Sequence, residues 1–326
     1  MSVVHLHSGM AGAPSLLARS AGTWAAVMHW ALPQLGWTLA QNDLANHRVA
    51  YTNADGVTFA FYDSSAHPEN GGTTNTECAV RIFSGFTDFD NPGVSAPFSP
   101  TSGVRLVNKF IHRSSTNATS AGYLIWGDDK TFITLNWTIG NNNSTNDAVM
   151  RPRYVLHYFG RVDGLVAGQY NHVFLGSSSA PSTANSQSGY AGMQQHGAFP
   201  AILDVDGNPL GRNLSIWRGT NRNFTNWLSA SGENQNPVTG ERHISRIFLG
   251  SSVGAVPEFF CRGMYCGVGN WQAIFISQDS SNLPAMNVDV GSRVLTPYMT
   301  ETGHVNNTST AYWGHGILLD RTGPWS

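Results

Sequence analysis

The sequence predicts a mostly β protein: antiparallel sheets or a sandwich, with one short N-terminal helix packed on the sheet. Three observations predict it. Short alternating apolar runs recur about a dozen times at close spacing, bounded by Gly, Asn, Asp and Pro. Only one stretch carries the period of an amphipathic helix. The regular alternation of strands with helical segments that a parallel α/β fold requires is absent.

The helix lies within Ser8–Trp37. Trp24, Val27, Met28, Ala31 and Leu35 recur at i, i+3, i+4, i+7 and i+11 and form its core face. Thr23 stands where an N-cap belongs. Pro33 disturbs the last turn and Gly36 supplies a stop, so about ten helical residues are expected. His29 and Pro33 interrupt the apolar run, which is far short of the roughly 20 residues a membrane span needs. Upstream, Gly9, Gly12 and Pro14 punctuate an irregular lead-in. Val3–Ala13 is expected along a sheet edge or against a neighbouring subunit, which makes Val3, Met10 and Pro14 assembly candidates.

Strands follow in order. Arg48–Thr52 and Val57–Tyr62 flank Asn53-Ala-Asp-Gly56, a turn sequence. Cys78–Phe83 alternates again, and Val104–His112 comes after a Pro- and Ser-rich loop. Tyr123–Trp126 and Thr131–Trp137 flank Gly127-Asp-Asp-Lys130, the clearest hairpin. Arg153–Phe159 and His172–Leu175 are split at Asp163-Gly164. Ala198–Val205, Asn213–Trp217, Ile244–Leu249, Trp271–Gln278, Arg293–Met299 and Gly316–Asp320 complete the set. Residues 176–243 are largely polar, so the chain divides into a helix-plus-β body at 1–175, a loop-rich insertion at 176–243, and C-terminal strands at 244–326 that pack with the first body. His172-Val-Phe-Leu-Gly-Ser-Ser178 echoes Arg246-Ile-Phe-Leu-Gly-Ser-Ser252; each is a strand entering a Gly-Ser loop.

The 326 residues suffice for a large core, and the formal net charge is −2. With a pI of about 6.6, no global charge favours nucleic acid or an anionic membrane. Charged residues are 12%, about half the usual share, while Gly reaches 35 residues. Such depletion suits surfaces covered by other subunits. Of the 18 basic residues only two are lysines, Lys109 and Lys130; sixteen are arginines. Cys78, Cys261 and Cys266 form no even disulfide framework and no zinc spacing, so free thiols are expected. MSVVHLH lacks the basic-then-apolar pattern of a signal peptide. The Asn-x-Ser/Thr triplets at Asn117, Asn136, Asn143, Asn213 and Asn223 are what an Asn- and Thr-rich chain produces by chance.

Candidate chemistry is sparse. Gly250-Ser-Ser-Val-Gly254 fits G-x-S-x-G, which would make Ser252 a nucleophile with Asp279 or Asp289 and His304 or His315 as partners. No helix start follows it, so turn chemistry is the reading taken. Asp204-Val-Asp206-Gly-Asn208 starts like a calcium loop, but Ser215 occupies the closing position where Glu is required. Asp128-Asp129 sits at a hairpin tip with side chains on opposite faces. Asp88 and Asp90 read as loop residues. His5 and His7 would share a strand face, which could bind a metal at a trimer axis, although an ordinary strand face is the reading taken. Catalytic, cofactor and metal residues are accordingly set at none. Trp217, Trp227 and Trp313 are assembly candidates or, as an alternative, a sugar-stacking platform.

Three separated segments carry a resemblance. Ser8-Gly-Met-Ala-Gly-Ala-Pro14 fits a lead of the form M-x-G-A-P, with Gly22 and Leu32–Gly36 after it. Arg153-Tyr-Val-Leu-His-Tyr-Phe-Gly-Arg-Val162 fits a mid-chain strand, with Arg161 where an acidic residue is usual. Leu318-Leu-Asp-Arg-Thr-Gly-Pro-Trp325 fits a closing D-x-T-G-P-W. Together they resemble a family of tailed-bacteriophage virion proteins associated with the tail or neck. The resemblance implies a non-enzymatic structural component of the particle in tail, neck or baseplate, partnered by other virion proteins and by copies of itself, with no cofactor, no nucleic acid and no membrane. Rival expectations are a head decoration protein, a glycan-binding host-recognition module and, last, a serine hydrolase using Ser252.

Overall fold

A computed structural model describes residues 2–17, 19–70, 75, 77–96, 106–109, 120–138, 155–175, 214–217, 243–251, 257–268, 288–302 and 314–325. The described chain is mostly β and antiparallel, with a curled half-barrel sheet and a single short α-helix. The strands are β1 (Val4–His7), β2 (Leu16–Leu17), β3 (Thr38–Asp43), β4 (Arg48–Thr52), β5 (Thr58–Tyr62), β6 (Glu77–Gly85), β7 (Val94–Ser95), β8 (Leu106–Asn108) and β9 (Ser120–Gly127). They continue with β10 (Thr131–Thr138), β11 (Val155–Gly164), β12 (Tyr170–Leu175), β13 (Leu214–Trp217), β14 (His243–Ser251), β15 (Pro257–Val268), β16 (Val288–Val290), β17 (Arg293–Thr302) and β18 (Gly314–Asp320).

A 12-stranded sheet runs β1-β9-β10-β11-β15-β18-β17-β16, with β2 on β9, β12 on β11, and β13 and β14 attached through β15. A six-stranded sheet runs β3-β4-β5-β6-β7, with β8 on β6. The C-terminal strands thus hydrogen-bond into the sheet of the N-terminal body, through Val162↔Cys261 and Asp163↔Phe260.

The helix α1 spans Thr23–Ala31, and Trp24, Val27, Met28 and Ala31 are fully buried with Leu35 behind them. They join Phe59, Phe61, Val80 and Ile82 of the small sheet and Tyr123, Ile125, Phe132 and Phe159 of the large one in one core cluster. Burial of each large side chain on this face stabilises the fold by roughly 1.5–3 kcal/mol. Pro33 acts as expected: the α-helix stops at Ala31 and continues as a 3-10 turn over Leu32–Leu35, ended by Gly36 at φ 89. On the far face of the small sheet, Tyr62, Phe83 and Phe89 form a second cluster, which is why every residue of β5 is buried.

The expected Thr23 cap is corrected. Gly22 holds the N-cap position with φ 78, and Thr23 Oγ1 donates to Leu17 O (3.1 Å) and Ser20 O (3.1 Å). The free helix N–H groups go instead to Asp63, just past β5: Oδ2 accepts from Trp24 N at 2.7 Å and Ala25 N at 3.2 Å. A carboxylate at a helix N-terminus is also favoured by the helix dipole. Strand β1 lies at a sheet edge, as expected of Val3–Ala13. Sequence reading missed β2, β3, β7, β16 and, above all, the twelve-residue β15, which carries Cys-Arg-Gly-Met-Tyr-Cys. A buried arginine and a glycine break its alternation, and both are explained by what packs on them. Cys78 and Cys261 are buried free thiols. Among the described residues no helix is long and apolar enough to cross a membrane.

Candidate functional site

Among the described residues, a dense cluster of charged groups lies where the two sheets meet. The β4–β5 turn of the small sheet abuts the β9–β10 hairpin tip of the large one. Ala54 N donates to Asp129 O (2.8 Å), Asn53 Nδ2 to Lys130 O (3.2 Å), and Trp37 Nε1 to Asp128 O (2.9 Å). Asp55, on the turn, faces His172 Nε2 at 3.2 Å, Arg161 Nη1 at 3.5 Å and Lys130 Nζ at 3.7 Å. Burial opposes ionisation of Asp55, but the hydrogen bond and charge of His172, with the charges of Lys130 and Arg161, hold its carboxyl below its ordinary value.

Arg262, on β15, completes the network from the other side. Its Nη2 donates to Asp128 Oδ2 at 2.9 Å and its Nη1 to Thr131 Oγ1 at 3.0 Å, and its Nε lies 3.4 Å from Asp163 Oδ2. Asp128 Oδ1 meanwhile accepts from Lys130 N and Thr131 N, both at 2.9 Å, closing the hairpin tip. Arg161 Nε reaches Asp163 Oδ1 at 2.5 Å, and its guanidinium stacks 4.1 Å from the Tyr170 ring centroid. The buried Tyr158 hydroxyl donates to Arg161 O and accepts from Arg262 N at 3.0 Å. Three carboxylates, Asp55, Asp128 and Asp163, therefore face Lys130, Arg161, Arg262 and the His172 imidazole, each spoken for by a partner. Such mutual saturation suits a clasp between elements.

The C-terminal segment closes over the same arginine. Arg262 Nη2 donates to Trp325 O, and Trp325 Nε1 donates to Asp320 O at 3.0 Å. The indole lies on Gly263, where φ is +66 and a Cβ would come within 2.1 Å of Trp325 Cε2. Asp320 is buried, pairs with Arg293, and accepts from Thr322 N and Oγ1, both at 2.9 Å. Gly323 in turn packs against Val3, and Ser2, Val3 and Arg321–Pro324 line a shallow groove of 520 Å³. Gly160 is held at φ +115 with Lys130 O in the space a Cβ would occupy.

The core-face residues all sit where the helical period placed them. Val3 and Pro14 are packed on their own chain: Val3 beside Gly323, and Pro14 O accepting from Tyr123 Oη at 3.0 Å. Met10 is exposed. Strand β1 lies at the edge of the large sheet with Leu6 in the core. The side chain of Trp217, although β13 is described, and the whole of Trp227 and Trp313 lie outside the described residues, as do Ser252, Asp204–Asn208 and the hydrolase partners Asp279, His304 and the Gly254 end of the motif. The His5 ring lies tilted at 57° to Trp126 with centroids 4.7 Å apart, and His7 is exposed. Among the described residues no group of three or more His, Cys, Asp or Glu could hold a metal. Asp88 Oδ1 accepts from Asp90 N and Asn91 N, a side-chain-closed loop. Asp55, Asp63, Asp163, Lys109 and Arg262 were not singled out by sequence for these roles; only the rarity of lysine marked Lys109.

No protein-family model matches this chain, and no curated protein matches its sequence.

Proposed function

We propose that this chain is a non-enzymatic structural subunit of a tailed-bacteriophage particle, placed in the tail, neck or baseplate and assembled through contacts with other virion proteins and with copies of itself. The observation that carries the reading is a convergence. The three segments that bear the resemblance, far apart in sequence, meet around β9, β11 and β15. The Ser8–Pro14 lead is tied to β9 through Ser8 N to Tyr123 O (3.1 Å) and Tyr123 Oη to Pro14 O. The mid-chain strand presents Tyr158 to Arg262, and Arg262 holds the Trp325 carbonyl. These segments thus build a shared framework, which supports a structural role.

The outer surface supports assembly as the use of that framework. Met10, Leu39, Val94, Leu165, Val166 and Tyr170 are exposed apolar side chains on edges and turns, on a chain with an unusually small share of charge. Leu165 and Val166 form the tip of the β11–β12 hairpin, held by Gly164 N to Gln169 O at 2.7 Å. Closed symmetric association would cover such tips without leaving open edges. The test is mass spectrometry of purified particles from a lysate in which the chain is expressed, followed by its location in a particle map. Stoichiometric recovery is expected; a stable, dispersed monomer found in no purified particle refutes the reading.

A further inference from the structure

Beneath the helix N-terminus lies a pair of charges with no exposure at all. Lys109, just past β8, and Asp63, just past β5, are both 0% exposed, and Nζ of the lysine is in contact with Oδ1 of the aspartate. Strands β5 and β8 both pair with β6, on its two sides, so the two side chains meet across that strand above the buried Cys78. A buried lysine is unusual in this chain, which uses arginine sixteen times and lysine twice. Arginine is the better partner for a carboxylate by hydrogen bonding alone; what lysine adds is a nucleophilic amine.

We propose that Lys109 and Asp63 condense to an intramolecular isopeptide bond. The surrounding polar atoms are already arranged for the product. Asp63 Oδ2 accepts from Trp24 N and Ala25 N, two helix-terminal donors that would hold the negative charge developing on that oxygen when Nζ adds to Cγ. Lys109 Nζ also donates to Ser20 O at 2.8 Å, a bond that the single N–H of an amide would keep. The remaining oxygen, Oδ1, is held by Lys109 Nζ and not by the helix N–H groups, and it is the oxygen that leaves. The step balances within the pair. One Nζ–Cγ bond forms and one Cγ–Oδ1 bond breaks. Nζ gives up two protons, Oδ1 takes both, and one water departs. Burial drives the Asp63 carboxyl above its ordinary value despite the charge of Lys109, which favours the neutral acid and amine from which the addition proceeds. The product replaces two buried charges by one neutral amide whose N–H and C=O both have partners.

Intact mass spectrometry of the denatured full-length protein tests this, followed by fragmentation of its proteolytic peptides. The expected result is a mass one water below that of the sequence, with the Asp63 peptide joined to the Lys109 peptide. Lys109→Arg, which keeps the charge but not the amine, restores the full mass. A wild-type protein at the full sequence mass overturns the proposal. So does a missing water that maps to an Asp-Gly succinimide, such as Asp55-Gly56 or Asp163-Gly164, instead of to Lys109. Because the wild-type measurement decides, the test does not depend on any variant folding.

Discussion

Gly263→Ala is the sharpest test of how the C-terminal segment is held. The residue has φ +66, a conformation that costs a side-chain-bearing residue about 1–2 kcal/mol. The new Cβ would lie 2.1 Å from Cε2 and 2.2 Å from Cδ2 of Trp325, well inside contact distance. The β15 backbone cannot retreat easily, because β11, β14 and β18 all pair with it. The indole must therefore leave. Truncating a buried Trp costs about 3–5 kcal/mol, and the lost bond from Nε1 to Asp320 O adds about 1 kcal/mol. Trp325→Ala should then destabilise by roughly 4–6 kcal/mol, and Gly263→Ala, which adds the backbone strain, by roughly 5–8 kcal/mol. Both changes remove the same contact, so the double variant should cost only about 1–2 kcal/mol more than Trp325→Ala alone, the backbone strain that remains. Urea unfolding of the four proteins gives the coupling. Full additivity, or a Gly263→Ala protein with an unchanged midpoint, would refute the packing argument.

Four further outcomes follow from the same structure. Arg262→Ala strips the buried Asp128 of its cation, while Asp163 keeps Arg161, and should cost about 3–5 kcal/mol in denaturant unfolding, since the buried charge of Asp128 is left uncompensated. Tyr158→Phe leaves Arg262 N without its acceptor and should cost about 1–3 kcal/mol by the same assay. His5 is pushed from its ordinary 6.5 to about 4 by burial and by the charge of Arg321, so the unfolded chain takes up a proton there before the folded one does. Stability should therefore fall as pH drops from about 6.5 towards 4, and His5→Phe, which keeps the ring on Trp126, should flatten that slope; an unchanged slope counts against it. Deleting residues 2–12 removes β1 and the buried Leu6, so the midpoint of thermal unfolding should drop along with assembly, and loss of assembly alone would contradict the sheet pairing.

The clasp and the charged pair show why part of this protein was hidden in its sequence. Asp128 reads as an ordinary hairpin aspartate, and it does close the tip; yet it is buried because Arg262 arrives 134 residues later. Asp63 follows a strand with no local signature of a cap, and it becomes one only because β5 ends beneath the helix start, 39 residues after Trp24. Strand β15 was missed for a related reason. Its Arg262 and Gly263 break the alternation of an ordinary strand, and both make sense only once Trp325 lies across them.

By itself, the sequence determined what depends on near neighbours along the chain. The period of Trp24, Val27, Met28, Ala31 and Leu35 settled which helix face is buried, Pro33 and Gly36 settled where it ends, and Asn53–Gly56 and Gly127–Lys130 settled two turns, because side-chain direction and turn geometry repeat at fixed short spacing. Only the tertiary structure decided which distant residue satisfies each buried polar group: Asp63 for the helix N–H donors, Lys109 for Asp63, Arg262 for Asp128 and Trp325. The physical reason is that a buried charge or N–H must find a partner wherever the sheet order brings one, and strand order is set by long-range packing that leaves no periodic trace in the chain.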